Sequence, residues 1–354
     1  MNSGGEWMVY GANGYSGELI AREAAGRGMR PILAGRNPER IKALAGELGL
    51  EHRVFDLDSV EHVALALQGV DLVLHCAGPF SATSAPMIDG CLSSGTHYLD
   101  ITGEIAVFEH AHDLGAEARE AKVVICPGVG FDVVPTDCVA VTLKDAMPDA
   151  THLALAFESS SGLSPGTTKT AIEGLRAGGA VRRDGEIIAV PQAYGVRRID
   201  CGNGEKQAMT IPWGDVSTAF HSTGIPNIEV YTTVPDGALR VVKAANRLDW
   251  LWRRPRVING MQLLAGRFVK GPDSTARTGL KTYVWGEVRN AEGRTLTARV
   301  RTANGYEVTI EAPLAIVDKL LNDRPEGGVY TPAVLMGSDF VTELPGSTSI
   351  EVTG

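Results

Sequence analysis

The sequence predicts an α/β protein: an N-terminal doubly wound parallel sheet, then a second α+β domain built on a mixed or antiparallel sheet. Three observations predict it. Short apolar runs separated by helical stretches of ten or more residues fill the first 126 positions. The run VYGANGYSG at 9–17 places glycines at i, i+3 and i+6 between a strand and a helix. After about residue 146 the pattern changes to longer alternating runs and tight turns. At 354 residues the chain is long for one core, so two domains are expected.

Trp7, Met8, Val9 and Tyr10 form an apolar run that ends at Gly11, and residues 15–27 then put Leu19, Ile20 and Ala24 on one helical face. A second run at 31–34 precedes a helix at about 38–48, and a third at 53–55 precedes one at about 59–68. DLVLHCAG (71–78) is the fourth strand, followed by helix at 84–94. HYLDIT (97–102), helix at about 104–120 and KVVICPG (122–128) complete the series. Alternation of this kind is the signature of βαβ units and a parallel sheet.

Further on, THLALAFESS reads as a strand and TTKTAIEGLRAGG as a helix stopped by glycines. VRRDGEIIAV predicts a hairpin, because Asp184 and Gly185 suit a type I′ turn. TYVWGEVRNAEGRTLTARVRT is a second alternating pair, turning at 290–293, and YEVTIEAPLAIVDKLLND (306–323) becomes helical toward its end. The tail PGSTSIEVTG is open between an edge strand and a loose end. The expected division is 1–145 for the parallel-sheet domain and 146–311 for a substrate and dimerisation domain.

Charge and composition narrow the function. The net charge is −9 and no block of Lys or Arg occurs, which argues against a nucleic-acid binder. No run of 18 apolar residues predicts a transmembrane helix, and MNSGGEWMVYG reads as a strand start, not a signal peptide. The five cysteines are irregularly spaced, with no CxxC pair. A reduced, cytoplasmic protein without disulfides or a zinc site is expected.

The flanks of VYGANGYSG supply what the spacing alone lacks: a strand before Gly11, a helix after Gly17, and a unit closing at Leu33 after roughly 30 residues, as a Rossmann dinucleotide site requires. Gly11 permits the tight turn, Gly14 lets the backbone approach a pyrophosphate, and Gly17 lets the helix pack on the strand. Asn13, Tyr15 and Ser16 complete the turn, and the helix N-terminus adds N–H groups and partial positive charge. The plain alternative is a structural βα turn. The second strand ends ILAGRNPER, without the carboxylate that NAD sites place there. Gly35 leaves room instead, and Arg36, with Asn37 and Arg40, can hold a 2′-phosphate, which predicts NADP. Asp56 is expected beside the adenine, and Ala77, Gly78 and Pro79 beside the nicotinamide ribose.

Catalytic candidates should lie at the carboxyl ends of the strands. HYLDITGE places His97, Asp100 and Glu104 near that edge, although Thr102 and Glu104 also suit a helix start. GVGFDVVPTD follows the sixth strand; Asp132 and Asp137 could cap the helix opened by Pro135, or the loop could line the nicotinamide pocket with Phe131 as an apolar wall. In the second domain Lys169 is a candidate substrate anchor or proton donor, or a surface lysine. Phe80, Asp100, Glu104, Phe131, Asp132 and Lys169 are expected in one pocket, with Glu104 favoured as donor. YxxxK and HExxH are absent, which disfavours a Ser–Tyr–Lys mechanism and a metal.

Arg176, Arg182, Arg183, Arg197 and Arg198 concentrate positive charge that could meet an acyl-carrier protein, a coenzyme A phosphate or a dicarboxylate, or could simply face solvent. LDWLWRRPRVINGMQLLAGRFV (248–269) fits a core or subunit-interface helix better than a membrane surface, because Pro255 breaks it. A homo-oligomer is expected.

GANGYSG, AGRNPER, the AGPF turn, GTHYLDITGE and PGVGFDVVPTD, in this order, resemble the saccharopine dehydrogenase-like oxidoreductases, and most of all the branch that includes the trans-acting enoyl reductases of polyketide lipid synthesis. The resemblance is strong over about 6–140 and looser through SGLSPGTTKT and GGVYTPAVLMG. It implies an NADP-binding Rossmann domain, a second α/β domain over the nicotinamide, and last helices, about 312–345, returning to the first domain. Those reductases usually read CGFDSIPSD where this chain has GVGFDVVPTD. The leading expectation is an NADP-dependent reductase of a C=C, C=O or C=N bond in a small or acyl substrate. A catalytically silent NADP-binding sensor or scaffold and a true saccharopine dehydrogenase are the alternatives.

Overall fold

A computed structural model describes residues 5–159, 178–235, 237, 239–240, 242, 279–323 and 325–354. The chain divides into two compact units, Met1–Phe131 with Tyr306–Leu335, and Asp132–Gly305 with Met336–Gly354. The helix expected at TTKTAIEGLRAGG, with Lys169 and Arg176, and the stretch 248–269 lie outside the described residues.

The first unit runs β1 (Trp7–Tyr10), α1 (Tyr15–Gly26), β2 (Ile32–Gly35), α2 (Pro38–Leu48), β3 (His52–Val54), α3 (Val60–Ala66), β4 (Leu72–His75), α4 (Phe80–Ser94), β5 (His97–Asp100), α5 (Ile105–Asp113), α6 (Gly115–Glu120) and β6 (Val124–Cys126). The strands lie in the order β6-β5-β4-β1-β2-β3, all parallel. Buried aliphatic residues from the strands, among them Met8, Ile32, Val73 and Ile125, form the core on which the helices pack. Asn37 and Ser59 accept hydrogen bonds from the first turns of α2 and α3, and left-handed Gly49 and Gly95 end α2 and α4. The single helix expected at 104–120 is two, meeting at Leu114, which turns in against the core. The order reverses beside β1, so the ligand crevice of such a sheet opens at the carboxyl ends of β1 and β4.

The second unit begins with α7 (Val134–Ala146) and β7 (Ala150–Ser159). It continues with β8 (Gly179–Arg183), β9 (Glu186–Val190), β10 (Val196–Asp200), β11 (Glu205–Thr210), α8 (Asp215–Thr223), β12 (Asn227–Thr233), β13 (Lys281–Asn290) and β14 (Thr295–Ala303). Helix α9 (Gly305–Asn322) and the two-residue strand β15 (Gly328–Val329) belong to the first unit, where β15 pairs in parallel with β6. Two short helices, α10 (Pro332–Met336) and α11 (Phe340–Glu343), and β16 (Glu351–Thr353) close the chain.

The second sheet is mixed. Its main path is β10-β11-β12-β7-β13-β14-β16, with β8 and β9 attached through β12. Only β7 and β12 run parallel in the described path. The hairpin between β8 and β9 turns at Asp184 and Gly185, both with positive φ, as the sequence predicts. The tail forms an edge strand on β14. Gly286 lets α7 lie close on the sheet: a Cβ there would stand 2.6 Å from Val139 and 2.8 Å from Leu143. Among the described residues no helix is long and apolar enough to cross a membrane.

Candidate dinucleotide site

The glycine turn joins β1 to α1 at the crevice. Gly11 has φ +84° and abuts the end of β4, where a Cβ would be 2.8 Å from Ala77 N. Its carbonyl accepts from Gly14 N at 2.9 Å, and its own N–H donates to Ala34 O at 2.8 Å. A Cβ on Gly17 would overlap Gly11 O and stand 3.0 Å from Gly11 C. At Gly14 the equivalent distance to Gly11 O is 3.2 Å. No side chain caps α1, and its first intrahelical bond is Glu18 N to Gly14 O. The N–H groups of Ser16 and Gly17 precede that first intrahelical bond, a position that fits an anion. Tyr15 also meets Tyr306 of α9 edge-on at 5.2 Å, and Arg27 of α1 pairs with Glu311, so α9 backs the turn's helix.

The tips of β2 and β3 carry the residues expected at the adenosine end. Arg36 and Arg40 are exposed and pair with no carboxylate among the described residues. The phenol of Tyr10 is pushed up to about 12, first by burial, then by Asp56, with Arg36 opposing, so both charges act at the end of β1. Asn37 is occupied as the cap of α2, accepting from Arg40 N at 3.0 Å. Gly35 leaves room for Asn13: a Cβ there would be 3.0 Å from Asn13 Oδ1 and 3.1 Å from Ile41. A side chain at position 35 would therefore press on Asn13 and Ile41. Asp56 is exposed beside Asp58 and His62, whose Nδ1 lies 2.9 Å from Asp58 and 3.6 Å from Asp56.

The other half of the crevice is built on β4, β5 and β6. Ala77, Gly78 and Pro79 form the turn into α4. The Glu104 carboxylate accepts from Phe80 N at 2.9 Å and Ser81 N at 2.7 Å, the first two N–H groups of that helix. Such a position favours the charged form. Asp100, fully buried, accepts from the Tyr98 hydroxyl at 2.7 Å, Thr102 N at 2.9 Å and Gly128 N at 2.8 Å. Burial raises its carboxyl from 3.8 to about 6 against these bonds. The loop beyond β6 is pinned again where Phe131 N donates to Thr309 Oγ1 at 3.1 Å. His97 opens β5 and so lies at the amino edge of the sheet, not the carboxyl edge expected from HYLDITGE; its Nδ1 accepts from Val124 N at 3.0 Å.

The arrangement brings Phe80 to Glu104, and Asp100 to the loop that leads to Phe131. Asp132, the next residue, starts the second unit. It is half-buried, its carbonyl accepts from Trp213 Nε1 at 2.7 Å, and desolvation lifts its carboxyl to about 7. The cap position of α7 is Val133, not Asp132, and Asp137 lies in the first turn, where Ser222 bonds to it.

Asp100→Ala should strand three buried donors. Each costs about 1–3 kcal/mol, so a loss of about 3 kcal/mol or more is expected in urea unfolding. The folded chain holds the Asp100 proton more tightly than the unfolded one. That contribution is full below pH 3.8 and is lost as pH rises through about 6, a slope that Asp100→Asn should remove.

The four described arginines of the expected positive face, Arg182, Arg183, Arg197 and Arg198, are engaged by the protein's own groups. Arg182 is buried, donates to Val216 O at 2.8 Å and Gly185 O at 2.7 Å, and stacks 4.2 Å from the Phe220 centroid. Arg183 pairs with Glu229, Arg197 with Glu287 at 3.0 Å and Arg198 with Glu205 at 2.7 Å. Cross-strand carboxylates neutralise the charge that composition alone leaves visible.

The glycine turn, the helix N-terminus without a side-chain cap and the strand order together describe a dinucleotide unit, and the family comparison agrees. The family model described as saccharopine dehydrogenase NADP binding domain matches residues 7–126. This part of the chain is a saccharopine dehydrogenase NADP-binding domain. Its cofactor is NADP. The chain has similar sequences among curated proteins. A trans-acting enoyl reductase of Mycobacterium ulcerans is 32 % identical over 143 residues, 37 % of this chain and 34 % of that protein. One of Mycobacterium tuberculosis (strain H37Rv) is 30 % identical over 184 residues, 48 % of this chain and 44 % of that protein. A saccharopine dehydrogenase-like oxidoreductase of Rattus norvegicus is 26 % identical over 204 residues, 50 % of this chain and 47 % of that protein. The chain thus spans less than half the length of these relatives. In fold, apo saccharopine dehydrogenase (L-Glu forming) of Saccharomyces cerevisiae matches 99 % of both chains with a TM-score of 0.62 at 11 % identity.

Proposed function

We propose that the protein is an NADP-dependent reductase that adds hydride and a proton across a C=C, C=O or C=N bond of a small or acyl substrate. The observation that carries this reading is the NADP-binding domain itself, joined to similarity with trans-acting enoyl reductases over 184 residues, longer than that domain. NADPH, when bound, supplies the hydride. In this reading the glycine turn holds the pyrophosphate, Arg36 and Arg40 the 2′-phosphate, and Asp56 borders the adenine. Ala77, Gly78 and Pro79 border the nicotinamide ribose, and Lys169 anchors the substrate. The five free cysteines suit a reducing, cytoplasmic setting, and a homo-oligomer that reduces an acyl group while it stays on a carrier protein or coenzyme A is part of the proposal.

The proton donor in this reading is Asp132. Glu104 already accepts from the N–H groups of Phe80 and Ser81, and Asp100 is enclosed by three hydrogen bonds. Desolvation lifts the Asp132 carboxyl to about 7, so it gains and gives up a proton near neutral pH. Loss of NADPH absorbance with enoyl, ketone and imine substrates, offered as thioesters and as free acids, tests the function; binding without turnover across the panel would leave a silent NADP-binding protein. The rate should be level below about pH 7 and fall above it as Asp132 loses its proton. Asp132→Asn should lower it about a hundredfold or more and flatten that profile. A profile unchanged in the variant would remove Asp132 from the role.

A further inference from the structure

A side-chain relay lies beneath the 77–79 turn. His75 ends β4 with no exposed surface, its ring among those of Tyr10, Phe80 and Tyr98 at centroid distances of 5.5, 5.4 and 6.1 Å. Its Nε2 is 3.0 Å from Thr83 Oγ1, early in α4. The same hydroxyl lies 2.7 Å from Ala77 O and 3.1 Å from Pro79 O. A hydroxyl has one hydrogen to donate, and both carbonyls can only accept. Thr83 therefore donates to the carbonyls and accepts from His75, which fixes the imidazole as the neutral Nε2–H tautomer. Its Nδ1 is buried without a partner. Desolvation agrees, pushing the imidazolium down to about 3.

A histidine with an unpaired buried nitrogen is a poorer core filler than an apolar ring. What it adds is the N–H that orients the Thr83 hydroxyl. The turn is held from its other side by Glu104 at Phe80 N and Ser81 N, and Gly11 abuts Ala77. We infer that His75 and Thr83 are positioning residues for the nicotinamide half of the dinucleotide, acting by fixing the carbonyls of Ala77 and Pro79. The inference rests on the proposed placing of the nicotinamide ribose at that turn.

Thr83→Val keeps the β-branched shape and removes the hydroxyl, while Thr83→Ser keeps the hydroxyl. NADPH and 2′,5′-ADP, which lacks the nicotinamide half, are titrated against both variants and the parent chain. Thr83→Val should weaken NADPH roughly three- to tenfold and leave 2′,5′-ADP within about twofold, with Thr83→Ser behaving as the parent. Unchanged NADPH affinity in Thr83→Val would overturn the inference. So would an equal loss for both ligands, which marks general damage to the unit. A parent chain that binds NADPH no more tightly than 2′,5′-ADP would instead overturn the underlying placement.

Discussion

Gly17→Ala is expected to abolish NADPH binding at concentrations that saturate the parent chain. The added Cβ would overlap Gly11 O, with Gly11 C at 3.0 Å and Ala12 Cα at 3.1 Å. All three are backbone atoms of a turn that is tied to β2 and abuts β4, so none can give way alone. Relief requires α1 to slide away or the turn to open, and either takes the helix N-terminus off the phosphates it is proposed to hold. Losing two charge-assisted hydrogen bonds costs about 3 kcal/mol or more, over a hundredfold in affinity. Gly14→Ala is the control for severity. Its Cβ meets a single atom at 3.2 Å, so its damage to the unliganded turn is smaller. Fluorescence titration reads affinity, and thermal unfolding reports whether the unit persists. NADPH bound by Gly17→Ala as by the parent chain would show that the turn does not govern phosphate binding.

Arg36→Ala should weaken NADPH by roughly ten- to a hundredfold and leave NADH nearly unchanged, the effect of removing a charge-assisted contact worth about 1.5–3 kcal/mol. The side chain is exposed at the tip of β2 and pairs with no carboxylate among the described residues. Its charge is therefore available to a 2′-phosphate without breaking an ion pair. The effect should shrink as salt rises, because an exposed contact is screened. Equal losses for the two dinucleotides would place Arg36 elsewhere.

Much of this was legible in the sequence where the signal is local. The βα alternation, the glycine turn and the Asp184–Gly185 hairpin each depend on neighbours within a few positions. What escaped depends on distant partners. Helix α4 begins at Phe80, earlier than its periodicity indicates, because its cap is Glu104, 24 positions on. The same contact draws Glu104 from proton donor, as the sequence reading favours, toward structural anchor. Asp100 looks catalytic at a strand end until Gly128, 28 positions away, is seen bonded to it. Arg197 looks free until β13 brings Glu287 beside it from 90 positions away. His97 escapes for a different reason: apolar patterning marks a strand without saying which of its residues lie at the ligand edge.

The strand Gly328–Val329 makes the first unit dependent on the order of synthesis. Its neighbour in the sheet, β6, emerges from the ribosome some 200 residues earlier, by the difference between positions 126 and 328. Until then the outer side of β6 offers unpaired backbone groups, a known hazard for strand-to-strand association between nascent chains. The closing segment also admits little substitution. A Cβ on Gly327 would lie 2.5 Å from Lys122 Cα and 2.7 Å from Ala118 O, so the late strand can seat only where its approach is stripped to bare backbone. Nascent chains stalled before residue 328 should therefore carry a nucleotide turn already made and a sheet still waiting for its last member.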